Sequence, residues 1–525
     1  MEDQIGLQAV RVMYLTGPAP GPAGHQIAHF EHFVENDMNS MLGHMPPVNA
    51  SAVRRDKDNG RYQIIFQRAA VNRPLWHEVS DDGNIRPMLP NEARINNVTY
   101  GSHIMMDVAL QRVDIETEEV TCIEEKRIPF GVLPIMVGSR YCYTHKMSDD
   151  AKALHQECTI DEGGYFIIGG LEKVIMGQER IAHNSIFVSL VDHPQSPYTH
   201  KAEIRCVPLN GRNAHRTSNT AICITKLHNG GQTVQGIDNA RTESIRVILP
   251  HLAKSRLPII ILFRALGCPP EQYRHYLQSL PAEMYAFCAS EAAVALENSH
   301  GFLNYANATQ QTVALEYIGR LLVPTGGNVR EKYLLRAREV ITYELLPHIG
   351  MDFTQVCNDE KLSFLAHMVK KVYNVFDGKA KEDCRDHLAH KRVELASSLL
   401  CSVYKNAMDR AMKQIGMMLF RAVDNRHRPL TIRHIVEPAA LHITSAFRFA
   451  ISSGRWGDAD MNRLYGNEVR IGITQPLNRF MPLAMLSHVR KINTPMGREA
   501  NVTNLSSPRQ LHYSQWGKSP FFYSA

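Results

Sequence analysis

Between Asp161 and Arg180 the chain reads DEGGYFIIGGLEKVIMGQER, with two glycine pairs bracketing the apolar run Tyr165–Ile168. Four apolar residues are too few for a helix. Paired glycines break regular structure rather than continue it, so the segment predicts two short buried strands joined by a tight Gly169-Gly170 turn. The same spacing argues against a phosphate loop. The glycines are adjacent, whereas a pyrophosphate cradle needs them spaced as G-x-G-x-x-G or as G-x-x-x-x-G-K-[ST], and the chain contains neither a Walker loop nor a strand–G-x-G-x-x-G–helix unit.

Around this segment, strand-like and helix-like patterns fall into separate blocks. After the turn-forming Gly17–Gly24 stretch, Ile27, Phe30, Phe33, Val34, Met38 and Leu42 recur at helical spacing. Residues 51–145 read as mixed strands, as in Tyr62-Gln-Ile-Ile-Phe-Gln and Cys122-Ile-Glu-Glu-Lys-Arg-Ile. Residues 185–262 are again β-rich, the pattern turns helical from Pro269 to about Leu346, and 360–423 read as strongly helical. Residues 465–525 read as strand and loop around one helix near Leu483–Val489. Segregated blocks predict a multidomain α+β architecture of mixed sheets and helices rather than a doubly wound fold. A length of 525 residues suggests about three or four domains.

Composition narrows the class. With 44% hydrophobic and 21% charged residues the chain is of ordinary globular type. Apolar runs such as Ile259–Phe263 are too short to span a bilayer, and the Met-Glu-Asp start shows no basic region followed by an apolar one, so neither a membrane span nor a signal peptide is expected. Ten cysteines stand singly with no CxxC, which predicts reduced thiols in an intracellular protein rather than a disulfide framework or zinc ribbon.

The net charge of +6 is unevenly placed. Residues 405–525 hold 17 Lys+Arg, 13 of them Arg, against 7 Asp+Glu, a net of +10, so the first 404 residues carry a net of −4. Such asymmetry points to a polyanion partner at the basic segment, and guanidinium groups suit bidentate phosphate contact. Charge alone does not separate that reading from a solvated basic face.

Few constellations offer independent chemistry. Asp386, His387 and His390 could approach one another at i, i+3 spacing, but no HExxH surrounds them and Arg385, Lys391 and Arg392 crowd them, so a structural polar cluster is expected there. Asp458 and Asp460 supply only two acids beside a turn, and no Gly-x-Ser-x-Gly or nucleophilic cysteine signature is present. Nucleic-acid binding fits better. Leu477-Asn-Arg-Phe480, Leu486-Ser-His-Val-Arg-Lys-Ile-Asn-Thr-Pro-Met-Gly-Arg498 and Pro508-Arg-Gln-Leu-His-Tyr-Ser-Gln-Trp-Gly517 interleave basic, apolar and turn residues. Loops anchored by apolar residues can hold Arg and Lys against phosphates without reading bases.

At these segments the sequence resembles the second-largest (β-type) subunit of multisubunit DNA-directed RNA polymerases. The resemblance is collinear through Glu92-Ala-Arg-Ile-Asn-Asn-Val-Thr-Tyr100, Gly131-Val-Leu-Pro-Ile-Met-Val-Gly-Ser139, the glycine-pair segment, Pro258-Ile-Ile-Ile-Leu-Phe-Arg-Ala-Leu-Gly267, Arg385-Asp-His-Leu-Ala-His-Lys-Arg-Val-Glu-Leu-Ala396 and the C-terminal runs. Phe263-Arg-Ala-Leu-Gly and Pro508-Arg-Gln-Leu-His are closer to the eukaryotic, archaeal and large-DNA-virus form than to the bacterial one.

The resemblance implies a protrusion built from residues 1–180 and 350–465, a lobe inserted at 181–349 and a fork at 466–525, together forming one wall of the DNA cleft. It implies nucleotidyl transfer from NTPs in an assembled enzyme whose Mg²⁺ ions are held mainly by the largest subunit. This chain would supply no catalytic residue, bind no metal and be inactive alone. The implied partners are the largest subunit, other polymerase subunits, template DNA, the RNA–DNA hybrid and, in the complex, NTP. The compartment would be the nucleus or, for a viral protein, a cytoplasmic factory or virion.

Carried over by position, Lys173, Gln475 and Lys491 resemble hybrid contacts, and Arg490-Lys491 keep the basic pair that follows Leu-Ser-His-x. Arg498 falls in the fork loop near downstream strand separation, Arg509 near the template or incoming nucleotide, and Arg479 joins the nucleic-acid-binding set. Pro476 departs from the family's small or branched residue, so the local backbone there is expected to differ. After Gly517 the family continues into Cys-Pro…Glu-Thr-Pro-Glu-Gly, whereas this chain reads Lys518-Ser-Pro-Phe-Phe-Tyr-Ser-Ala525, which suggests a fragment or the product of a split gene. The alternative is a non-catalytic nucleic-acid-binding scaffold or remnant that does not assemble into a polymerase.

Overall fold

The computed structural model describes residues 21–51, 60–76, 86–114, 119–191, 196–208, 218–225, 243–249, 252, 257–300, 310–322, 330–350, 359–385, 387–424, 430–456, 471–493 and 514. Helices and several sheets are both present, and among the described residues no sheet closes into a barrel, so the fold is α+β. The chain divides into two compact units, Met1–Arg180 with Lys391–Ala525, and Ile181–His390.

The first unit is organised by an antiparallel meander of Val48–Ser51, Gly60–Val71, Gly101–Asp114 and Val120–Pro134, paired in sequence order. Ile104, Met106, Val108 and Leu110 alternate onto one buried face, as the two-residue period of a strand requires. Helices Ala396–Asp424 and Ala440–Ser453 pack on this meander. Phe33, Tyr404 and Phe447 then join the N-terminal helical segment to both helices, with ring centroids 6.2–6.4 Å apart. Phe30, Phe33, Val34, Met38 and Leu42 are all buried, so the helical spacing read at the N-terminus marks a core face. It is built from Gly24–His32, a π-turn at Phe33–Asp37, and Met38–Gly43.

The glycine-pair segment forms the expected hairpin, Phe166–Ile168 and Leu171–Ile175, with Ile168 opposite Leu171 across the Gly169-Gly170 turn. Gly163 has φ +78°, and a Cβ there would lie 2.2 Å from the Val137 carbonyl oxygen, so no other residue fits without backbone movement. Leu171–Ile175 is the centre of one three-stranded sheet, between Phe166–Ile168 and Thr474–Pro476. Gly177–Ile181 is the centre of a second, between Lys391–Glu394 and Ile492–Asn493. Residues 471–493 are thereby tied twice to the glycine-pair segment.

The second unit has its own apolar core and its own antiparallel sheet, ordered Leu257–Pro258, Ile245–Ile248, Ser218–Thr225, Tyr198–Cys206, Ile186–Leu190. Helix Asp359–Phe376 packs on this sheet, so residues 359–376 belong to the second unit's core. Two sequence expectations are corrected. The apolar run Ile259–Phe263, assigned to the end of a β-rich block, is the helix Ile259–Ala265, buried at every position but Arg264. A short run of uniformly apolar residues carries no period, and full burial satisfies either structure. The helical reading of 360–423 is interrupted, because Asp359–Phe376 ends before Gly378 (φ +76°) and Lys391–Glu394 is a strand before Ala396–Asp424 begins.

Six of the nine described cysteines are buried, and among the described residues none forms a disulfide. Burial pushes the Cys206 thiol up to about 12, which suppresses its thiolate. Among the described residues no helix is long and apolar enough to cross a membrane.

Candidate nucleic-acid interface

The candidate site is assembled where the two small sheets meet the segment 471–493. Lys173 lies at the middle of Leu171–Ile175, opposite Phe166 on one side and Pro476 on the other. Gln475 pairs with Val174. Pro476 is tolerated because its strand is at a sheet edge, and the chain re-engages one residue later when the Leu477 N–H donates to the Glu172 carbonyl at 3.0 Å. The backbone departure expected at this proline is therefore absorbed by ordinary edge pairing.

Helix Pro482–Val489 follows, with proline at its first position, where a missing N–H costs nothing. His488, in its last turn, contacts Gln475 Oε1 through Nε2 at 3.2 Å. The Arg490 and Lys491 backbone N–H groups close the helix end on the Leu486, Ser487 and His488 carbonyls. Ile492 and Asn493 then run parallel to Gly177 and Gln178. Gln475, His488 and Lys491 are thus linked in sequence, whereas Lys173 shares a sheet face with Pro476 and not with Gln475. The Arg490 guanidinium reaches the Pro22 carbonyl at 3.4 Å.

This constellation is clamped from behind. Gln26, 1% exposed, donates through Nε2 to the Ile175 carbonyl (3.0 Å) and the Val489 carbonyl (3.3 Å), bridging strand and helix. A second clamp is a charge network whose carboxylates are largely buried while its arginines are partly exposed. Arg479 donates from Nε to Glu172 Oε2 at 2.7 Å, and from Nη2 to Glu172 Oε1 (2.7 Å), Asp161 Oδ2 (2.9 Å) and the Tyr165 hydroxyl (2.9 Å), with its guanidinium over the Tyr165 ring at 5.0 Å. Arg94 donates to Glu172 (2.8 Å), Glu157 (3.2 Å) and the Tyr165 hydroxyl (2.6 Å). The Tyr165 hydroxyl donates in turn to Asp161 Oδ2 at 2.6 Å. Two guanidinium groups face three carboxylates, so this network holds no surplus positive charge. Burial opposes the charge on Asp161, yet hydrogen bonds from Tyr165 and the Gly163 N–H, together with Arg479, outweigh it and hold the carboxyl below its usual range. The Glu172 bonds hold the Arg479 proton above the usual arginine range.

The basic residues selected from sequence therefore divide. Arg479 is engaged by Glu172 and Asp161. Among the described residues neither Lys173 nor Lys491 has an acidic partner. Arg498 and Arg509, and the acids Asp386, Asp458 and Asp460, lie outside the described residues. His390 Nδ1 lies 2.6 Å from the Cys384 carbonyl, and His387 Nδ1 accepts the Ala389 N–H, so local backbone engages the two imidazoles. Among the described residues no group of three or more His, Cys, Asp or Glu converges to hold a metal. Sequence reasoning missed Gln26, Arg94, Tyr165 and His488, whose roles depend on partners up to 463 residues away. The one available signal was that Arg94, Tyr165 and His488 each sit inside a motif segment.

The chain is similar to known polymerase proteins over nearly all its length. Residues 22–445 match the family described as RNA polymerase beta subunit, and residues 475–519 match RNA polymerase Rpb2, domain 3. It is 31% identical over 503 residues to DNA-directed RNA polymerase II subunit RPB2 of Encephalitozoon cuniculi, covering 95% of this chain and 40% of that one. Against the same-named subunit of Schizosaccharomyces pombe it is 32% identical over 520 residues, covering 94% of this chain and 39% of the relative. Against DNA-directed RNA polymerase subunit Rpo2N of Methanococcus vannielii it is 26% identical over 497 residues, covering 94% of this chain and 87% of the archaeal one. The chain thus spans about two fifths of the length of these eukaryotic relatives.

Proposed function

Because the chain belongs to the RNA polymerase beta-subunit family, we propose that it acts as a component of a DNA-directed RNA polymerase inside the cell, forming one wall of the DNA cleft and contacting the RNA–DNA hybrid. The observation that supports this best is that Lys491, without an acidic partner among the described residues, closes the helix whose His488 contacts Gln475, while Lys173, likewise without one, lies in the strand to which Gln475 is paired. Ammonium groups held on a rigid surface attract a phosphate backbone irrespective of sequence. Arg490, Arg498 and Arg509 are further nucleic-acid contacts in this reading, and Arg479 serves by holding residues 471–493 against Glu172 and Asp161. In domain terms, residues 1–180 with 350–465 supply a protrusion, 181–349 a lobe and 466–525 a fork. The compact second unit starts at Ile181 and runs on to His390.

The partners are the largest subunit, other polymerase subunits and template DNA, with NTP entering the assembled enzyme. The Mg²⁺ of the assembled enzyme would be held mainly by the largest subunit. The carboxylates of this surface do not fit it, since Asp161, Glu157 and Glu172 are all bonded to guanidinium groups. This chain's part is to bind and orient the hybrid, and it synthesises no RNA alone.

The test is titration of the chain, alone and assembled with partner subunits, with RNA–DNA hybrid and with duplex DNA at two salt concentrations. Affinity for the hybrid should fall steeply with salt. Salt-independent or absent binding in both states overturns the reading.

A further inference from the structure

We propose that His488 is a positioning residue that turns the carboxamide of Gln475 so that its NH₂ group faces the nucleic acid. The inference rests on the hybrid-binding reading of Gln475 given above.

The argument follows from the polarity of hydrogen bonds. The Asn478 backbone N–H donates to His488 Nδ1 at 3.2 Å. A backbone amide can only donate, so Nδ1 must present its lone pair. A neutral imidazole carries one proton, which is therefore on Nε2. That nitrogen lies 3.2 Å from the side-chain oxygen of Gln475. Only the carboxamide oxygen can accept this proton. The opposite orientation would set two donors against each other, and the loss of a hydrogen bond in a half-buried place is costly. The NH₂ group is consequently turned away from the imidazole. Two N–H donors are then available next to the helix end that Lys491 closes, which suits phosphate and ribose oxygens, and these accept hydrogen bonds without specifying a base.

Two features keep the device in this state. Burial, and then the nearby Lys491 ammonium, lower the His488 pKa, so the ring is neutral at physiological pH. The Gln475 backbone is fixed by its pairing with Val174, leaving side-chain rotation as the freedom to be set. A merely structural histidine would need only its bond to the Asn478 N–H. A positioning histidine needs both bonds.

Two substitutions separate these roles. In His488→Gln the amide reaches the position of Nε2 and can still donate to Gln475. In His488→Asn the shorter side chain can accept from the Asn478 N–H and cannot reach Gln475. The full chain, alone and with partner subunits, would be titrated with RNA–DNA hybrid. His488→Gln should stay within about twofold of the unsubstituted chain, and His488→Asn should weaken binding roughly five- to tenfold, the size of one hydrogen bond. In a Gln475→Ala background His488→Asn should add nothing. Nitrogen NMR of histidine-labelled chain, with the His488 signal identified by its loss in the Gln variant, should show the Nε2–H tautomer. Equal losses in both variants, additivity with Gln475→Ala, or an Nδ1–H tautomer overturns the proposal. If the unsubstituted chain bound no hybrid while the tautomer was as expected and His488→Asn still shifted the Gln475 amide signals, the hybrid reading would fall and the His488–Gln475 orientation would stand.

Discussion

At the scale of single residues, charge counts for less than its surroundings. Lys173, Lys491 and Arg479 look equivalent as basic residues near the same motif, yet Arg479 is engaged by Glu172 and Asp161 while the lysines have no acidic partner among the described residues. Lys173→Ala and Lys491→Ala should each weaken hybrid binding about equally for all sequences and lower the salt slope by roughly one. Neither should change the melting temperature. A parallel fall of melting temperature and affinity would reassign the lysines to folding. Gly163→Ala should behave in the opposite way. Its Cβ would collide with the Val137 carbonyl at φ +78°, so a loss of about 2 kcal/mol or more in denaturant unfolding is expected. The residue types of the proposed interface were legible in the motifs. Which bases were neutralised was not, because Glu172 and Arg479 are 307 residues apart.

At the scale of elements, residues 471–493 are held by two strand pairings, by the buried Ile473, Met485, Val489 and Ile492, and by polar side chains that link them to distant segments. Arg479→Ala would leave Asp161 and Glu172 short of a counter-charge. The expected cost is about 2 kcal/mol, below that of a fully buried pair because Arg94 remains and Arg479 is 39% exposed. An Arg94→Ala/Arg479→Ala cycle should be non-additive, since both guanidinium groups share Glu172 and Tyr165. The N-terminal helix Gly24–His32 supplies a second hold that depends on pH. Burial, and then Arg490, push His25 down to about 4. The neutral ring is thus the native form, while the unfolded ring titrates near 6.5. Its contribution is complete above about 6.5 and is lost as pH falls from there toward 4. The stability advantage of the unsubstituted chain over His25→Gln should therefore shrink between pH 7 and pH 5 in thermal unfolding. A constant difference would show that His25 acts by packing alone. The helices and strands were legible wherever a period was sustained, as at Phe30, Phe33 and Met38. They were not at Ile259–Phe263, where uniform burial erased the period.

At the scale of the whole molecule, each unit has a separate core, so calorimetry should resolve two unfolding transitions. Lys361, 1% exposed, donates from Nζ to the Ile341 and Thr342 carbonyls at 3.0 Å within the second unit. Lys361→Met should lower the transition of that unit by the equivalent of about 1–3 kcal/mol, the cost of buried acceptors losing their donor. Gly163→Ala should lower only the other transition. Both substitutions moving one shared transition would overturn the division. The sequence by itself determined the α+β class, the glycine-pair hairpin and the β-subunit family, and it supplied the residue types of the proposed interface. All of these depend on local period, turn chemistry and motif order, which are contiguous along the chain. The tertiary structure alone decided which strands flank Lys173, which arginine is neutralised and which way Gln475 turns. Those outcomes come from hydrogen bonds and ion pairs between segments hundreds of residues apart, and no local pattern encodes the partner.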